Sequence, residues 1–201
     1  MNRLIELAVV VLTAPFWVAL VLLGMVLVRF RLGSPVFYVE QRAGQHGVPF
    51  QLIKLRSMTN ERDERNELLP PDLRLTRFGR WLRASSLDEF PELFHVLTGE
   101  MALVGPRPLG CKYVERYSPE QRRRLEVRPG ITGWAQIHGR NSISWERKFQ
   151  LDVWYVDHRS AWLDFKILVV SVLKVLKRDG IDSANERTMP EFLGSERSGG
   201  S

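Results

Sequence analysis

The chain has 201 residues and a single cysteine, Cys111. One cysteine excludes an intramolecular disulfide and a metal cluster held by several thiolates. The four histidines show no spacing typical of metal ligands, and the sequence has neither a Walker A nor a G-x-G-x-x-G motif. The common nucleotide-binding loops are therefore excluded, and we interpret Cys111 as an ordinary small apolar residue.

Long hydrophobic runs are also scarce, because only the segment from Leu4 to Val28 is long enough and apolar enough to enter a membrane. As one straight helix it would measure about 37 Å, which exceeds a bilayer core of about 30 Å. A cleavable signal peptide is disfavoured, since the run is longer than the apolar region of such peptides and Gly33-Ser-Pro35 is a poor cleavage site. The run is therefore predicted to enter a membrane.

Two arrangements of this run remain open from the residues alone. Pro15 removes a helical hydrogen bond and clashes with the carbonyl of Val11, which predicts a break and two arms of about 18 Å each. Arg3 precedes the run, and Arg29 and Arg31 follow it, so the positive-inside tendency would hold both ends on the cytoplasmic side. A re-entrant helix-break-helix fits these features, and a spanning helix with a tolerated proline kink fits them nearly as well.

The net charge of +6 and the isoelectric point of about 9.8 predict an anionic partner, either a nucleic acid, a lipid surface or a phosphorylated substrate. The most basic segment is the predicted helix from Pro119 to Glu126, which contains Gln-Arg-Arg-Arg. We interpret it as a solvated or lipid-facing surface rather than a nucleic-acid site.

The remaining pattern predicts an α+β fold, mostly helical with a small β-hairpin, fused to the N-terminal membrane helix. The predicted units are a membrane segment over 1–30, a cytoplasmic catalytic domain over 31–194 and a disordered tail over 195–201. The predicted elements are strands over 34–42 and 48–56 with a turn at 44–47, a charged loop over 58–71, a helical segment over 73–82, a helix from 88 to about 98, a short apolar element over 101–109 and an amphipathic helix over 160–178.

The last of these helices allows two interpretations. Its apolar stripe consists of Trp162, Phe165, Val169, Leu173 and Leu176, and its opposite stripe of Asp164, Ser171, Lys174 and Arg178. The upstream half is interpreted as a core helix, whereas the basic end fits a helix in the membrane interface with its cations toward headgroups.

Two adjacent carboxylates, Asp88 and Glu89, are the most informative residues of the chain. They are predicted to lie in the first turn of a helix, where the helix dipole favours their ionised forms, although acidic first turns commonly serve only as caps. A glycosidase pair is disfavoured because neighbouring residues cannot flank a bond from opposite faces. A carboxylate nucleophile that attacks phosphorus is reasonable if cations screen the phosphate. The candidate cations lie on turns and are Lys54, Arg83, Arg107, Arg128 and Arg140.

Several motifs in a fixed order resemble the bacterial sugar transferase family, the monotopic phosphoglycosyl transferases. They cover nearly the whole chain to about Phe192, and the Thr188–Phe192 tail is similar to that of the minimal members that begin bacterial protein N-glycan assembly. The motifs are Gln41–Gly44, Lys54–Met58, Ser85–Phe94, Gly105–Leu109, Arg128–Gly133 and Asn141–Glu146.

The resemblance implies transfer of a sugar-1-phosphate from a UDP-sugar to undecaprenyl phosphate at the cytoplasmic face of the bacterial inner membrane. It implies that Asp88 is the nucleophile, that Glu89 assists, and that Mg²⁺ lies beside Asp88. UMP would leave, and the lipid phosphate would attack a phosphosugar-aspartyl intermediate. Lys54, Arg83, Arg107 and Arg140 match the positively charged residues of the family's site, and Asp164 matches an acidic position of structural role. The implied topology is re-entrant, with lipids and downstream glycosyltransferases as partners and no nucleic acid.

The chain departs from the family pattern at its start. The family usually has Lys-Arg and Asp before the apolar run, where this chain has Arg3 and Glu6. The family's Ser-Pro break is Ala14-Pro15 here, which predicts that no hydroxyl satisfies the freed backbone. A rival hypothesis is a membrane-anchored, non-catalytic protein with a basic face, but it does not explain carboxylates between arginine-bearing turns.

Overall fold

The computed structural model describes residues 2–139, 143–177 and 191–194, so Arg140 and the predicted tail lie outside the described residues. The helices are α1 (Arg3–Leu12), α2 (Ala14–Arg31), α3 (Pro71–Arg74), α4 (Arg77–Ala84), α5 (Glu92–Thr98), α6 (Pro119–Arg122), α7 (Trp134–Ile137), α8 (Trp145–His158) and α9 (Ala161–Lys177). The strands are β1 (Phe37–Ala43), β2 (Pro49–Leu55), β3 (Ala102–Val104) and β4 (Gly130–Thr132). The mostly helical α+β class is confirmed.

The predicted hairpin is present. Strands β1 and β2 pair in antiparallel register around the turn Gln45–Gly47, with Tyr38 opposite Lys54. Both His46 and Gly47 have positive φ, as a tight hairpin turn requires. The hairpin ends with Lys54 one residue before the end of β2.

A second sheet was not predicted, because the segment around Gly130 reads as a turn. There β4 pairs with β3 in parallel, with Ala102 opposite Gly130 and Val104 opposite Thr132. A Cβ on Gly130 would lie 2.0 Å from the backbone nitrogen of Gly105, so only glycine permits this approach. The pairing fixes the start of the loop that carries Arg107.

The apolar run is broken, but at Thr13 rather than at Pro15. Pro15 lies in the first turn of α2, where its missing N–H removes no intrahelical bond. The Thr13 hydroxyl donates to the carbonyl of Val9 at 2.7 Å, and the Trp17 indole N–H donates to that of Val10 at 2.9 Å. The expectation that no hydroxyl serves the break is therefore wrong, since Thr13 supplies one a residue earlier than the family pattern.

Both ends of the broken run contact the same domain. At the start of α1, the Arg3 guanidinium donates to the carbonyl of Leu97 at 3.3 Å. At the end of α2, Val28 packs with Leu55 and Leu82. By length and composition α2 could cross a bilayer, with a mean hydropathy of 1.7. Large apolar side chains on the outward side of both helices are exposed, namely Leu4, Ile5, Val9, Val11, Leu12, Phe16, Leu22, Leu23, Val26 and Phe30.

Helix α9 packs on the core through the buried side chains of Leu163 and Ile167, so the interpretation of its upstream half as a core helix is confirmed, but the predicted apolar stripe is not the side that packs. Its polar side faces the protein, where Asp164 is buried, the Ser171 hydroxyl lies 2.6 Å from that of Thr132, and Lys174 Nζ donates to Ile137 O at 2.7 Å. Lys174 therefore does not face headgroups. The exposed apolar residues of α9 are Trp162, Phe165, Val169, Val172 and Leu173, while Leu176 and Arg178 lie outside the residues whose side chains are described.

Candidate active site

The acidic pair lies in a separate 3₁₀ turn, Leu87–Glu89, and not in the first turn of a helix. Ser86 adopts a left-handed conformation with φ 56° and makes no capping bond, and α5 begins only at Glu92. The predicted cap and its dipole are therefore absent at Asp88. The turn instead directs both carboxylates toward β2 and the loop after β3.

Glu89 is held by two cations. Lys54 Nζ lies 2.8 Å from Glu89 Oε1, and the Arg107 guanidinium donates to the same oxygen. Burial alone would raise the pKa of Glu89, but Arg107 and Lys54 together hold it well below its usual range. Glu89 is therefore a fixed carboxylate that orients two cations.

Asp88 differs sharply from its neighbour. It is 7% exposed and makes no hydrogen bond or ion pair with any residue that the structure describes. Burial, followed by repulsion from Glu89, raises the pKa of Asp88 to about 7, although Lys54, Arg83 and Arg107 oppose the shift. The helix dipole that was expected to favour the ionised form is missing at Asp88, and burial raises its pKa instead. No described residue therefore binds the carboxyl oxygens of Asp88, and this group titrates near neutral pH.

A third carboxyl group, missed from the sequence, completes this cluster. Glu92 is 1% exposed and its Oε1 lies 3.0 Å from Lys54 Nζ. Within the described residues neither of its oxygens receives a well-directed hydrogen bond, and burial with repulsion from Glu89 raises its pKa. We conclude that Glu92 helps Glu89 to hold the Lys54 ammonium in place.

Arg83 is brought to the site by close packing between α4 and the segment after β2. A Cβ on Gly79 would lie 1.9 Å from the carbonyl oxygen of Ser57, so glycine is required there. The approach lets Arg83 Nε donate to Ser57 Oγ at 2.9 Å. Ser57 is a further positioning residue that the sequence did not reveal.

Arg107 is supported by a buried ion pair from the basic segment. Arg124 donates to Asp152 at 2.9 Å and to the carbonyl of Arg107 at 2.7 Å. The interpretation of this segment as a solvated surface is therefore wrong for Arg124, which is buried. Arg123 is paired as well, with Asp157.

His95 ties α5 to the strand that carries Lys54. The backbone N–H of Ile53 donates to His95 Nε2 at 3.2 Å, so the proton of the neutral ring lies on Nδ1, 2.7 Å from Glu100 Oε2. The sequence gave no reason to single out His95, since its partners lie in other elements.

Two predicted residues, Arg128 and Asp164, lie away from this cluster, and a third is not described. Arg128 is 3.0 Å from Glu6 of α1, and the structure does not bring it into the Asp88 cluster. Asp164 is buried and accepts from the Tyr155 hydroxyl at 2.7 Å, which accords with the predicted structural position. Arg140 lies outside the described residues, so its place in the site stays a prediction.

The residues fit a magnesium ion only in part. Among residues 2–139, 143–177 and 191–194, no three His, Cys, Asp or Glu side chains form a metal-binding group. Glu89 is occupied by cations, whereas the oxygens of Asp88 are open. Magnesium is commonly held by one or two carboxylates together with substrate phosphates, and Asp88 fits that pattern as a single protein ligand.

A buried carboxyl group whose oxygens no described residue binds, set among Lys54, Arg83 and Arg107, is an arrangement suited to phosphoryl transfer. The chain belongs to the bacterial sugar transferase family, whose model matches residues 1–178.

The comparisons with individual proteins agree. The chain is 50% identical to the uncharacterized sugar transferase EpsL of Bacillus subtilis strain 168, over 97% of this chain and 96% of that protein. It is 40% identical to an undecaprenyl-phosphate galactose phosphotransferase of Salmonella typhimurium, over 75% of this chain and 35% of that protein. A UDP-glucose:undecaprenyl-phosphate glucose-1-phosphate transferase of Caulobacter vibrioides is 34% identical, over 89% of this chain and 70% of that protein. The chain thus spans about a third of the length of the Salmonella relative.

Proposed function

We propose that this protein transfers a sugar-1-phosphate from a UDP-sugar to polyprenyl phosphate through a phosphosugar-aspartyl intermediate on Asp88. The observation that supports this best is the contrast between the two neighbouring carboxyl groups. Glu89 is bound by Lys54 and Arg107, whereas Asp88 has open oxygens and a pKa raised to about 7 by burial. A carboxylate whose oxygens no cation binds is available to attack phosphorus, and a fixed neighbouring carboxylate can orient the cations that screen the phosphate.

The two steps balance without any further reactant. In the first, an oxygen of Asp88 bonds to the β-phosphorus, the bond from that phosphorus to the bridging oxygen breaks, and UMP leaves with the electron pair. In the second, a phosphate oxygen of the lipid attacks the same phosphorus and displaces the Asp88 carboxylate. Lys54, Arg83 and Arg107 screen the phosphate charge in both steps. Magnesium, with Asp88 as its protein ligand, would supply further charge neutralisation when bound.

We also propose that the broken apolar run is re-entrant and that the domain lies on the cytoplasmic face of the membrane. Arg3 at the start of α1 and Val28 near the end of α2 contact the same domain, as expected if both ends return to one face. The exposed apolar stripe of α9 would lie in the same interface. A bilayer is the natural environment for these outward side chains.

The covalent route is tested by trapping the intermediate. Enzyme given a UDP-sugar with magnesium and no lipid acceptor should release one UMP and carry one phosphosugar per chain, mapped to Asp88 after a rapid acid quench. Asp88→Asn should carry none while it still binds the UDP-sugar, and Glu89→Gln should lose turnover but need not lose labelling. A panel of UDP-sugars identifies the donor, and chelation of magnesium should stop turnover.

Initial-rate kinetics give an independent test. Parallel double-reciprocal lines support two separate steps, whereas intersecting lines together with a missing adduct would exclude the intermediate. The rival hypothesis of a non-catalytic anchored protein requires that no UDP-sugar yields UMP when polyprenyl phosphate is present.

A further inference from the structure

Arginine recurs at every third position from residue 74 to residue 83, as Arg74, Arg77, Arg80 and Arg83. The last three belong to α4, and residues three apart on a helix have Cβ atoms only about 5 to 6 Å apart. They therefore form a continuous ridge of guanidinium groups. Its inner end is Arg83, whose charge acts directly on Asp88.

None of these four arginines forms an ion pair with a carboxylate in the part of the chain that the structure describes. Arg80 donates only to the carbonyl of Leu75, at 3.0 Å, and Arg77 makes no side-chain hydrogen bond there. The basic segment at α6 is different, because Arg123 pairs with Asp157 and Arg124 with Asp152. The guanidinium groups of the α4 ridge are therefore not neutralised by carboxylates of the described residues and are available to bind an external anion.

The position of α4 places this ridge beside the apolar run. Leu82 on the buried side of α4 packs with Val28 in the last turn of α2. On the outward side, Trp81 is exposed and stacks on Phe78 with ring centroids 5.9 Å apart. Tryptophan beside cations is typical of a membrane–water interface. The ridge therefore lies beside the end of α2, close to the proposed bilayer surface, and ends at Arg83, whose charge acts on Asp88.

We propose that Arg77 and Arg80 bind the phosphate headgroup of the polyprenyl phosphate acceptor and guide it along α4 to Arg83 and Asp88. This rests on the proposed function and adds two acceptor-binding residues to the site. A guanidinium fork matches phosphate oxygens in a bidentate manner. A terminal phosphate monoester carries more negative charge than the diester of a bulk phospholipid, so the ridge favours the acceptor. The rise from Arg77 to Arg83 is about 9 Å, a short path for one headgroup.

The kinetic test uses the full chain in nanodiscs of phosphatidylcholine with a varied fraction of undecaprenyl phosphate. Arg77→Gln and Arg80→Gln should each raise the KM for the lipid about fivefold, and the double variant about 25-fold if the effects add. The KM for the UDP-sugar and adduct formation without lipid should not change. Arg80→Lys should recover part of the affinity, and Arg65→Gln, with the same charge change in the exposed loop, should match wild type.

A vesicle comparison decides the source of the phosphate and needs no turnover. Wild type and the double variant are reconstituted in phosphatidylcholine vesicles alone, with added phosphatidylglycerol, or with added undecaprenyl phosphate, and the anionic lipid that stays bound to each protein is measured after extraction in mild detergent. The proposal expects the double variant to lose binding selectively on undecaprenyl phosphate vesicles. Equal loss on phosphatidylglycerol would make α4 a general anionic anchor and overturn the proposal, as would an unchanged lipid KM. If no UDP-sugar is a substrate, the proposed function is wrong, but this comparison still tests whether Arg77 and Arg80 bind the lipid phosphate.

Discussion

The Lys54 ammonium lies 2.8 Å from Glu89 Oε1, although the two residues are 35 positions apart. A β-strand and a 3₁₀ turn thus share one ion pair beside Asp88. The same ammonium is 3.0 Å from Glu92, so three elements converge on one charge. Loss of that charge should affect chemistry more than folding.

Lys54→Gln is expected to slow UMP release in a single turnover by about 10² to 10³-fold, since a cation that screens the phosphate is lost. It also leaves Glu92 without its ion-pair partner, so some loss of stability is expected. Lys112→Gln is the matched control, because Lys112 pairs with Glu191 away from the site. A Lys54 variant with an unchanged single-turnover rate would contradict this role.

The pH dependence of the first step should report Asp88. Attack requires the carboxylate, and its pKa is raised to about 7, so the single-turnover rate should rise with pH through that value and then level off. Arg83 opposes the raised pKa, so Arg83→Gln should move the acid limb to higher pH. Ser57→Ala, which frees Arg83, should cause a smaller shift in the same direction. If the apparent pKa of the single-turnover rate does not change in Arg83→Gln, the titrating group is not Asp88.

Asp88→Asn should stabilise the fold at alkaline pH. The folded-state pKa of Asp88 is raised from 3.8 to about 7, so its favourable contribution is fully present below the unfolded value and is lost as pH rises through about 7. At pH 8 the variant should gain between about 1 and 4 kcal/mol in the free energy of unfolding. Near pH 3 the gain should vanish. Thermal unfolding at both pH values checks this, and a lower Tm at pH 8 would show that Asp88 is stabilised as a carboxylate.

The ion pair between Glu6 and Arg128 should hold α1 to the domain. Glu6 is buried, and Arg128 Nη2 lies 3.0 Å from its Oε2. Glu6→Gln or Arg128→Gln should each cost about 2 to 4 kcal/mol of stability, and the double variant less than the sum. The UDP-sugar KM of the folded Arg128→Gln enzyme should stay within about twofold of wild type. A large rise in KM with unchanged stability would instead support the predicted role of Arg128 in substrate binding.

The topology can be tested by cysteine labelling in a Cys111→Ser background. Asn2→Cys and Arg65→Cys, in the exposed domain loop, should react with an impermeant reagent from the same side of the membrane. Pro15→Leu permits a continuous helix in which the backbone N–H of residue 15 would donate to the carbonyl of Val11, so part of the molecules should become spanning. Opposite labelling of the two cysteines in the parent would exclude a re-entrant run.

Local patterns determined several parts of this protein from the sequence. The hairpin followed from two short apolar runs around Gly44–Gly47, and the interrupted apolar run followed from a proline between basic flanks. The order of the motifs identified the family, which the match over residues 1–178 confirms. Lys54, Arg83 and Arg107 could be chosen as cations because they belong to the same ordered motifs as the acidic pair, although Lys54 lies in β2 and Arg83 in α4 rather than on the predicted turns.

Only the tertiary structure decided what those residues face. Burial and the charge of Glu89 raise the pKa of Asp88 above that of its neighbour. Arg128 forms an ion pair with Glu6 instead of contacting the Asp88 cluster. The predicted apolar stripe of α9 faces outward. Periodicity shows that a helix has two faces, but it does not show whether protein or lipid covers the apolar one. An ionisation state or an ion pair depends on distances between residues far apart in the chain, and those distances exist only after folding.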